Sequence, residues 1–222
     1  MDYVGYSRYS LYSVIYIQRL FPDRDFICGF GIYSLARLYG LEENMESKSL
    51  IKIAVVGPES TGKSSVSEQL ARTYNTVCVP EYSREYCRNL NRSYTLQDEL
   101  NIYYGQLALE RSLEPLAVNN LLICDTTFLT VKVWSDYLFG STPEEVNNRL
   151  KTHPYDFYLL MNIDLPWEDD PLRDFPAPSQ RQYFLEIWKK ELENLQADYQ
   201  LISGLGEDRF LHAKQAVAQW LK

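Results

Sequence analysis

Basic charge is scarce in this chain. Its 222 residues carry 22 lysines and arginines against 30 aspartates and glutamates, giving a formal net charge of −8 and a pI near 4.9. Affinity for DNA or RNA rests on clustered Lys and Arg along the phosphates, so a general nucleic-acid binder is excluded and a small-molecule partner is expected. Cysteine is sparse as well. Cys28, Cys78, Cys87 and Cys124 stand far apart with no C-x-x-C pair, and Cys78 and Cys124 fall in apolar runs. Reduced, mostly buried thiols in a cytoplasmic protein are expected, not a disulfide scaffold. Long apolar runs are missing too. No stretch approaches the roughly eighteen consecutive apolar residues of a membrane-spanning helix, so no membrane partner is expected.

The beginning of the chain lacks the basic region and unbroken apolar core of a signal peptide. It holds seven of the 18 tyrosines within its first 44 residues: Tyr3, Tyr6, Tyr9, Tyr12, Tyr16, Tyr33 and Tyr39. Residues 1–48 read as an extension of uncertain status, with Met45 as an alternative start, and no chemistry is assigned to them. Residues 49–222, within a chain that is 45% hydrophobic, suffice for one main domain.

The apolar run Ile53-Ala54-Val55-Val56 reads as a strand buried on both faces of a parallel sheet. The next segment, Gly57-Pro58-Glu59-Ser60-Thr61-Gly62-Lys63-Ser64, fits G-x-x-x-x-G-K-[ST], and a helical pattern follows. Glycines in such a loop let backbone N–H groups face inward around phosphate oxygens, and the helix N-terminus adds to the same anion site. ATP is the expected ligand. Gly57, Glu59, Ser60, Thr61, Gly62, Lys63, Ser64 and Ser65 are expected to line it, with Lys63 reaching the β- and γ-phosphates and the Ser64 hydroxyl holding Mg²⁺.

Four further strands are read at 76–82, 121–127, 155–164 and 199–203. Helical patterns separate them. Thr95-Leu96-Gln97-Asp98 opens a long helix with Leu100, Tyr103, Leu107, Glu110 and Leu113 as its core-facing side. Thr142-Pro143-Glu144-Glu145 opens another, and Ser179-Gln180-Arg181-Gln182 a third, with Phe184, Ile187, Trp188 and Leu192 inward. This alternation predicts an α/β fold, a doubly wound five-stranded parallel sheet of the P-loop NTPase kind with helices on both faces.

Ligands of such sheets sit beyond the carboxyl ends of the strands. The second strand ends in Pro80-Glu81-Tyr82-Ser83-Arg84-Glu85 and the third in Asp125-Thr126-Thr127-Phe128. Asp125 is expected to complete the Mg²⁺ site begun by Ser64. Glu81, with Glu85 as a weaker rival, is the candidate base for an acceptor hydroxyl. Tyr82, Arg84, Phe128 and Trp134 are candidate substrate contacts, while Tyr86 and Tyr137 are further candidate wall residues. Residues 164–181 contain four prolines and clustered charge, and read as a lid whose Arg173 and Arg181 reach the transferring phosphoryl group. The plain alternative is an acidic surface loop whose arginines pair with Glu168, Asp169 or Asp170.

Taken in order, "GPESTGKS", "PEYSREY", "DTTF", "YDFYLLMNIDLPWEDDPLRD" and "RQYF" resemble the ribosylnicotinamide kinase domain of NadR-type proteins over residues 50–220. The resemblance implies transfer of the γ-phosphate of ATP to the 5′-hydroxyl of nicotinamide riboside in NAD salvage. Members of that family carry a nucleotidyltransferase domain before the kinase; only some fifty residues precede the P-loop here, so a stand-alone kinase is expected. Two other readings remain open. One is a kinase for another nucleoside or a nucleoside monophosphate, for which Arg84 and Arg88 would supply the extra cations. The other is a nucleotide-dependent regulatory ATPase with no acceptor.

Overall fold

The computed structural model describes residues 49–88, 90–152 and 155–222. The tyrosine-rich beginning and Cys28 lie outside the described residues. Five strands form one parallel sheet: β1 (Ile51–Val56), β2 (Cys78–Val79), β3 (Leu121–Asp125), β4 (Phe157–Met161) and β5 (Tyr199–Ile202), in the order β2-β3-β1-β4-β5. The helices are α1 (Lys63–Thr73), α2 (Tyr82–Arg88), α3 (Leu96–Leu113), α4 (Phe128–Phe139), α5 (Glu144–Thr152), α6 (Pro178–Asn194) and α7 (Glu207–Trp220). None of the described helices is long and apolar enough to cross a membrane.

The three central strands are apolar on both faces because helices cover both. Ile53, Val55, Ile123, Leu159 and Met161 share one face with Val66 and Leu70 of α1 and Ala213 and Val217 of α7. Tyr158 on the other face begins an aromatic file, with centroids 5.7 Å to Tyr155, 6.0 Å on to Phe128 and 5.3 Å on to Tyr103 of α3. Thus the helix after β1 and the helix after β3 lie on opposite faces. Their parting opens a crevice at the carboxyl ends of β1 and β3, which pair with Val55 opposite Asp125.

The strands expected at 121–127, 155–164 and 199–203 are shorter, at 121–125, 157–161 and 199–202, and three further differences bear on the site. The second strand is expected at 76–82, but only Cys78 and Val79 pair. Pro80 has no N–H to continue the ladder, so the edge strand stops and Glu81 is released toward the crevice. Helix α6 begins at Pro178, one residue before the expected Ser179, and Gln180 accepts the Ala177 N–H at 3.3 Å. On α3 the buried stripe is broader than expected: Tyr103, Glu110 and Leu113 are buried, but so are Glu99, Ile102 and Gln106, whereas Leu100 and Leu107 are half-exposed.

At the end of β1 the chain turns at Gly57, whose φ is +133°. A Cβ there would stand 2.9 Å from the Met161 carbonyl oxygen of β4. Only glycine lets the loop leave the sheet this close to its neighbour. Gly57→Ala is expected to destabilise the domain by roughly 2 kcal/mol through strain at this φ. Denaturant unfolding with and without ATP would measure it, and the ATP-induced gain in stability should shrink at the same time.

Candidate active site

The loop after β1 places Gly57, Ser60 and Gly62 at φ of +133°, +56° and +76°. Such alternation turns successive amides toward one centre, and α1 begins at the loop's end to add its N-terminal dipole. Carbonyls turned away from that centre find donors. Pro58 O accepts from Thr61 Oγ1 and from Lys63 Nζ, both at 2.8 Å. Ser60 O accepts from Arg181 at 3.2 Å, and Thr61 O from Arg209 at 3.1 Å. Burial pulls the Lys63 ammonium below the usual lysine range, while Glu81, Asp125 and Glu59 pull it back up. A half-buried cation among carboxylates, in a loop of inward amides, suits a polyphosphate.

Asp125 ends β3 beside this loop, 4% exposed, with one carboxylate oxygen lacking a partner. Burial, then the nearby Glu81 charge, pushes its carboxyl up to about 6, opposed by a hydrogen bond from Ser64 and by Lys63. An unpartnered buried oxygen next to a hydroxyl is a hard-oxygen donor set. Mg²⁺ uses one or two carboxylates and takes its other oxygens from phosphates and water, so Ser64 and Asp125 fit it. No larger cluster of ligand side chains occurs among the described residues. The next residue, Thr126, holds φ +72°, an unusual conformation for a β-branched side chain, and Thr127 then caps α4 through its hydroxyl to Leu129 N at 3.2 Å.

Glu81 opens on the same crevice, its Oε1 accepting the Ser83 hydroxyl at 2.7 Å. The segment from 164 to 177 lies across the loop: Glu168 N donates to Ser60 Oγ at 2.9 Å, and Asp174 N donates to Glu59 at 3.1 Å. Arg173 donates to Glu168 O at 2.6 Å and to Ser60 Oγ at 3.4 Å. Asp170 pairs with Arg84 of α2 at 2.7 Å. The lid and acidic-loop readings therefore meet in one segment, whose acidic residues and backbone anchor it over the phosphate loop and to α2.

These elements enclose a cleft of about 800 Å³, large enough for a nucleotide and a second small molecule. Its far half is walled by Tyr94, Glu99, Ile102, Thr130, Trp134 and Leu138. Glu99, Ile102 and Gln106 are three or four residues apart and so share one side of α3.

Residues 52–209 match the family model described as an AAA domain. The chain belongs to the AAA domain family. Among curated proteins, the AAA-domain chain is 25% identical over 177 residues to the trifunctional NAD biosynthesis/regulator protein NadR of Escherichia coli K12; the match covers 76% of this chain. The chain spans 42% of that relative's length. Among solved structures, NadR protein in complex with NR superposes with TM-score 0.61 at 24% identity, covering 77% of this chain and 51% of that one. Thymidylate kinase from Candida albicans superposes with TM-score 0.56 at 13% identity, covering 76% and 91%. At these identities the superpositions establish a shared fold.

In this AAA-domain chain, Gly57, Glu59 to Ser65, Glu81, Arg84, Trp134, Arg173 and Arg181 line one cleft, with Asp125 beside Ser64. Two expected substrate contacts lie elsewhere. Phe128 is 1% exposed in the aromatic file against the sheet, because the first residue of α4 faces the core. Tyr82 packs its ring over Gly105 of α3 and gives its amide to Gln106 at 2.8 Å, an anchor for α2. Arg181 sits on α6, nearly buried, and braces Leu165 O as well as Ser60 O. Residues overlooked in the sequence are Tyr94, Glu99, Gln106 and Arg209. The spacing of Glu99, Ile102 and Gln106 was a readable signal; Arg209 had none, since its role depends on carbonyls far away in the chain.

Arg209 is 2% exposed and holds Gly204 O at 2.9 Å, Asn162 O at 3.2 Å, Thr61 O and the Asp164 carboxylate. Removing it leaves a carboxylate and three carbonyls short of a donor. Arg209→Met is expected to destabilise the domain by about 3 kcal/mol, through the buried carbonyls left without a donor. Calorimetric ATP titration should also show weaker binding, because the Thr61 turn loses its brace.

Proposed function

We propose that this chain transfers the γ-phosphoryl group of ATP to the 5′-hydroxyl of nicotinamide riboside, giving nicotinamide mononucleotide. The observation that carries a kinase reading is the position of Glu81, across from Lys63 and beside the Ser64–Asp125 pair, at the junction of the two halves of the cleft. A carboxylate there can accept the proton of an acceptor hydroxyl. The cleft also favours a nucleoside over a nucleoside monophosphate. Arg84 is engaged by Asp170, and Arg88 is an exposed residue paired with Glu85 at 2.6 Å. The choice of riboside draws on the relatives, one a trifunctional NAD biosynthesis/regulator protein and one solved in complex with NR.

In this reading residues 49–222 form the working unit, and residues 1–48 take no part in its chemistry. Inward amides of the phosphate loop and Lys63 hold the β- and γ-phosphates; Lys63 exchanges its bond to Pro58 O for phosphate oxygens. Ser64 and Asp125 would hold Mg²⁺, which would supply neutralisation of phosphate charge. Glu81 accepts the proton of the 5′-hydroxyl as that oxygen bonds to the γ-phosphorus. The bond from the γ-phosphorus to the bridging oxygen breaks, and ADP carries that electron pair away. Arg173 of the lid faces the phosphoryl oxygens, and lid closure keeps water from competing as acceptor.

Two substitutions separate the parts. Glu81→Gln is expected to lower kcat by about 10²- to 10⁴-fold, the usual worth of a general base, with ATP affinity within a few-fold of normal. Lys63→Ala is expected to abolish transfer and weaken ATP binding together. Unchanged turnover in Glu81→Gln would remove the base from the mechanism, and retained activity in Lys63→Ala would show that the reacting phosphates lie elsewhere.

A further inference from the structure

The far half of the cleft holds a carboxyl group that phosphoryl transfer does not use. Glu99 is 2% exposed, yet it lines the cleft in the first turn of α3. Its side chain takes one hydrogen bond, from the Tyr94 hydroxyl. A carboxylate has about four acceptor positions, and among the described residues no other side chain is seen to donate to it. The same wall carries Ile102 from the same helix, and Thr130, Trp134 and Leu138 from α4. Trp134 is fixed by stacking on Phe175 at 5.7 Å and by Phe184 at 5.2 Å. The adjacent Asp98, by contrast, is saturated by Arg92, Tyr86 and Thr95 and points away into the base of the helix.

We infer that Glu99, steadied by Tyr94, is the specificity-determining contact for a positively charged heteroaromatic ring on the acceptor, seated against the aromatic wall of the cleft. This inference rests on the nucleoside-kinase reading above and deepens it by assigning the ring-binding residue. A buried carboxylate with spare acceptor positions is expensive to leave alone and is satisfied by a cation; aromatic faces next to it attract the same cation. A neutral ring of the same shape would fill the space without answering the charge.

Titration follows from the same surroundings. The groups facing Glu99 are Tyr94 from the preceding loop, Asp98 on its own helix and the Cys87 thiol of α2, with Glu81 and Arg84 further along the cleft. Burial, with Asp98 adding to it and Tyr94 opposing it, pushes the Glu99 carboxyl up to about 8. The empty protein therefore carries it protonated at neutral pH. Entry of a cation favours the ionised form, so KM for a cationic acceptor should fall as pH rises through about 8 and then level off. Removing the Tyr94 hydroxyl withdraws the bond that lowers this carboxyl, so in Tyr94→Phe the transition should move to higher pH.

The test uses the full chain and two acceptors of equal shape: nicotinamide riboside, whose ring is a pyridinium cation, and its 1,4-dihydro form, whose ring is neutral. Steady-state kinetics would be run on wild type, Glu99→Gln and Tyr94→Phe from pH 6 to pH 9. The expected result is that Glu99→Gln lowers the ratio of kcat/KM for the cationic over the neutral riboside by roughly 10- to 100-fold, chiefly through KM, since one to two pKa units is the usual effect of an opposite charge at contact. Its KM should also lose the pH transition. An equal fall for both acceptors would assign Glu99 a structural role and overturn the inference, as would an unchanged ratio. Should Glu99→Gln fail to fold, Tyr94→Phe decides the matter: an unmoved transition overturns the inference. Absence of turnover with either riboside in the wild type would instead sink the nucleoside-kinase reading, and this assignment with it.

Discussion

A loop that turns its amide hydrogens toward one centre turns its carbonyls away from it, and each carbonyl then needs a donor. Much of this domain can be understood as the answer to that constraint. Pro58 O is met by Thr61 and Lys63, Ser60 O by Arg181, and Thr61 O by Arg209. Apart from Thr61 in the loop itself, those donors come from α1, α6 and α7, so the helices that cover the sheet also hold the phosphate loop open. The same cations keep positive potential around the amides without occupying the centre.

Charge is graded along the cleft. At the loop, half-buried Lys63 is surrounded by Glu59, Glu81 and Asp125, and Asp125, itself buried, keeps an oxygen without a partner. Such a group is stabilised when a divalent cation and phosphates arrive together, since each neutralises what the other leaves unpaired. The far half is lined by Glu99 with Tyr94, Ile102, Thr130, Trp134 and Leu138, a single carboxyl group among aromatic, aliphatic and hydroxyl side chains. The lid spans the boundary, with Glu168 and Asp174 on the phosphate loop and Asp170 on Arg84 of α2.

The sheet was legible in the sequence because β1, β3 and β4 are short apolar runs buried on both faces, and the P-loop because its residue types are dictated by backbone geometry. The metal and base candidates followed from a topological rule about strand ends. What could not be read was side-chain direction beyond those ends. Phe128 begins a helix whose first turn faces the sheet, so an aromatic one residue past "DTT" became core, while Trp134, two turns along, reached the cleft. Tyr82 went to support Gly105, a contact made possible by a missing side chain on another helix. Glu99 escaped attention because the leucines of α3 suggested a simpler apolar stripe. Arg209 joins residues separated by up to 148 positions, a relation that local pattern does not record.

The central claim is that the two halves of the cleft act together on two substrates. The most direct measurement is parallel chromatographic counting of ADP and nicotinamide mononucleotide from purified protein given ATP and Mg²⁺, with and without nicotinamide riboside. The account predicts that ADP forms slowly without the riboside, accelerates when it is added, and then matches the mononucleotide one for one. ADP formation at a single rate with or without the riboside, and no mononucleotide, would contradict it.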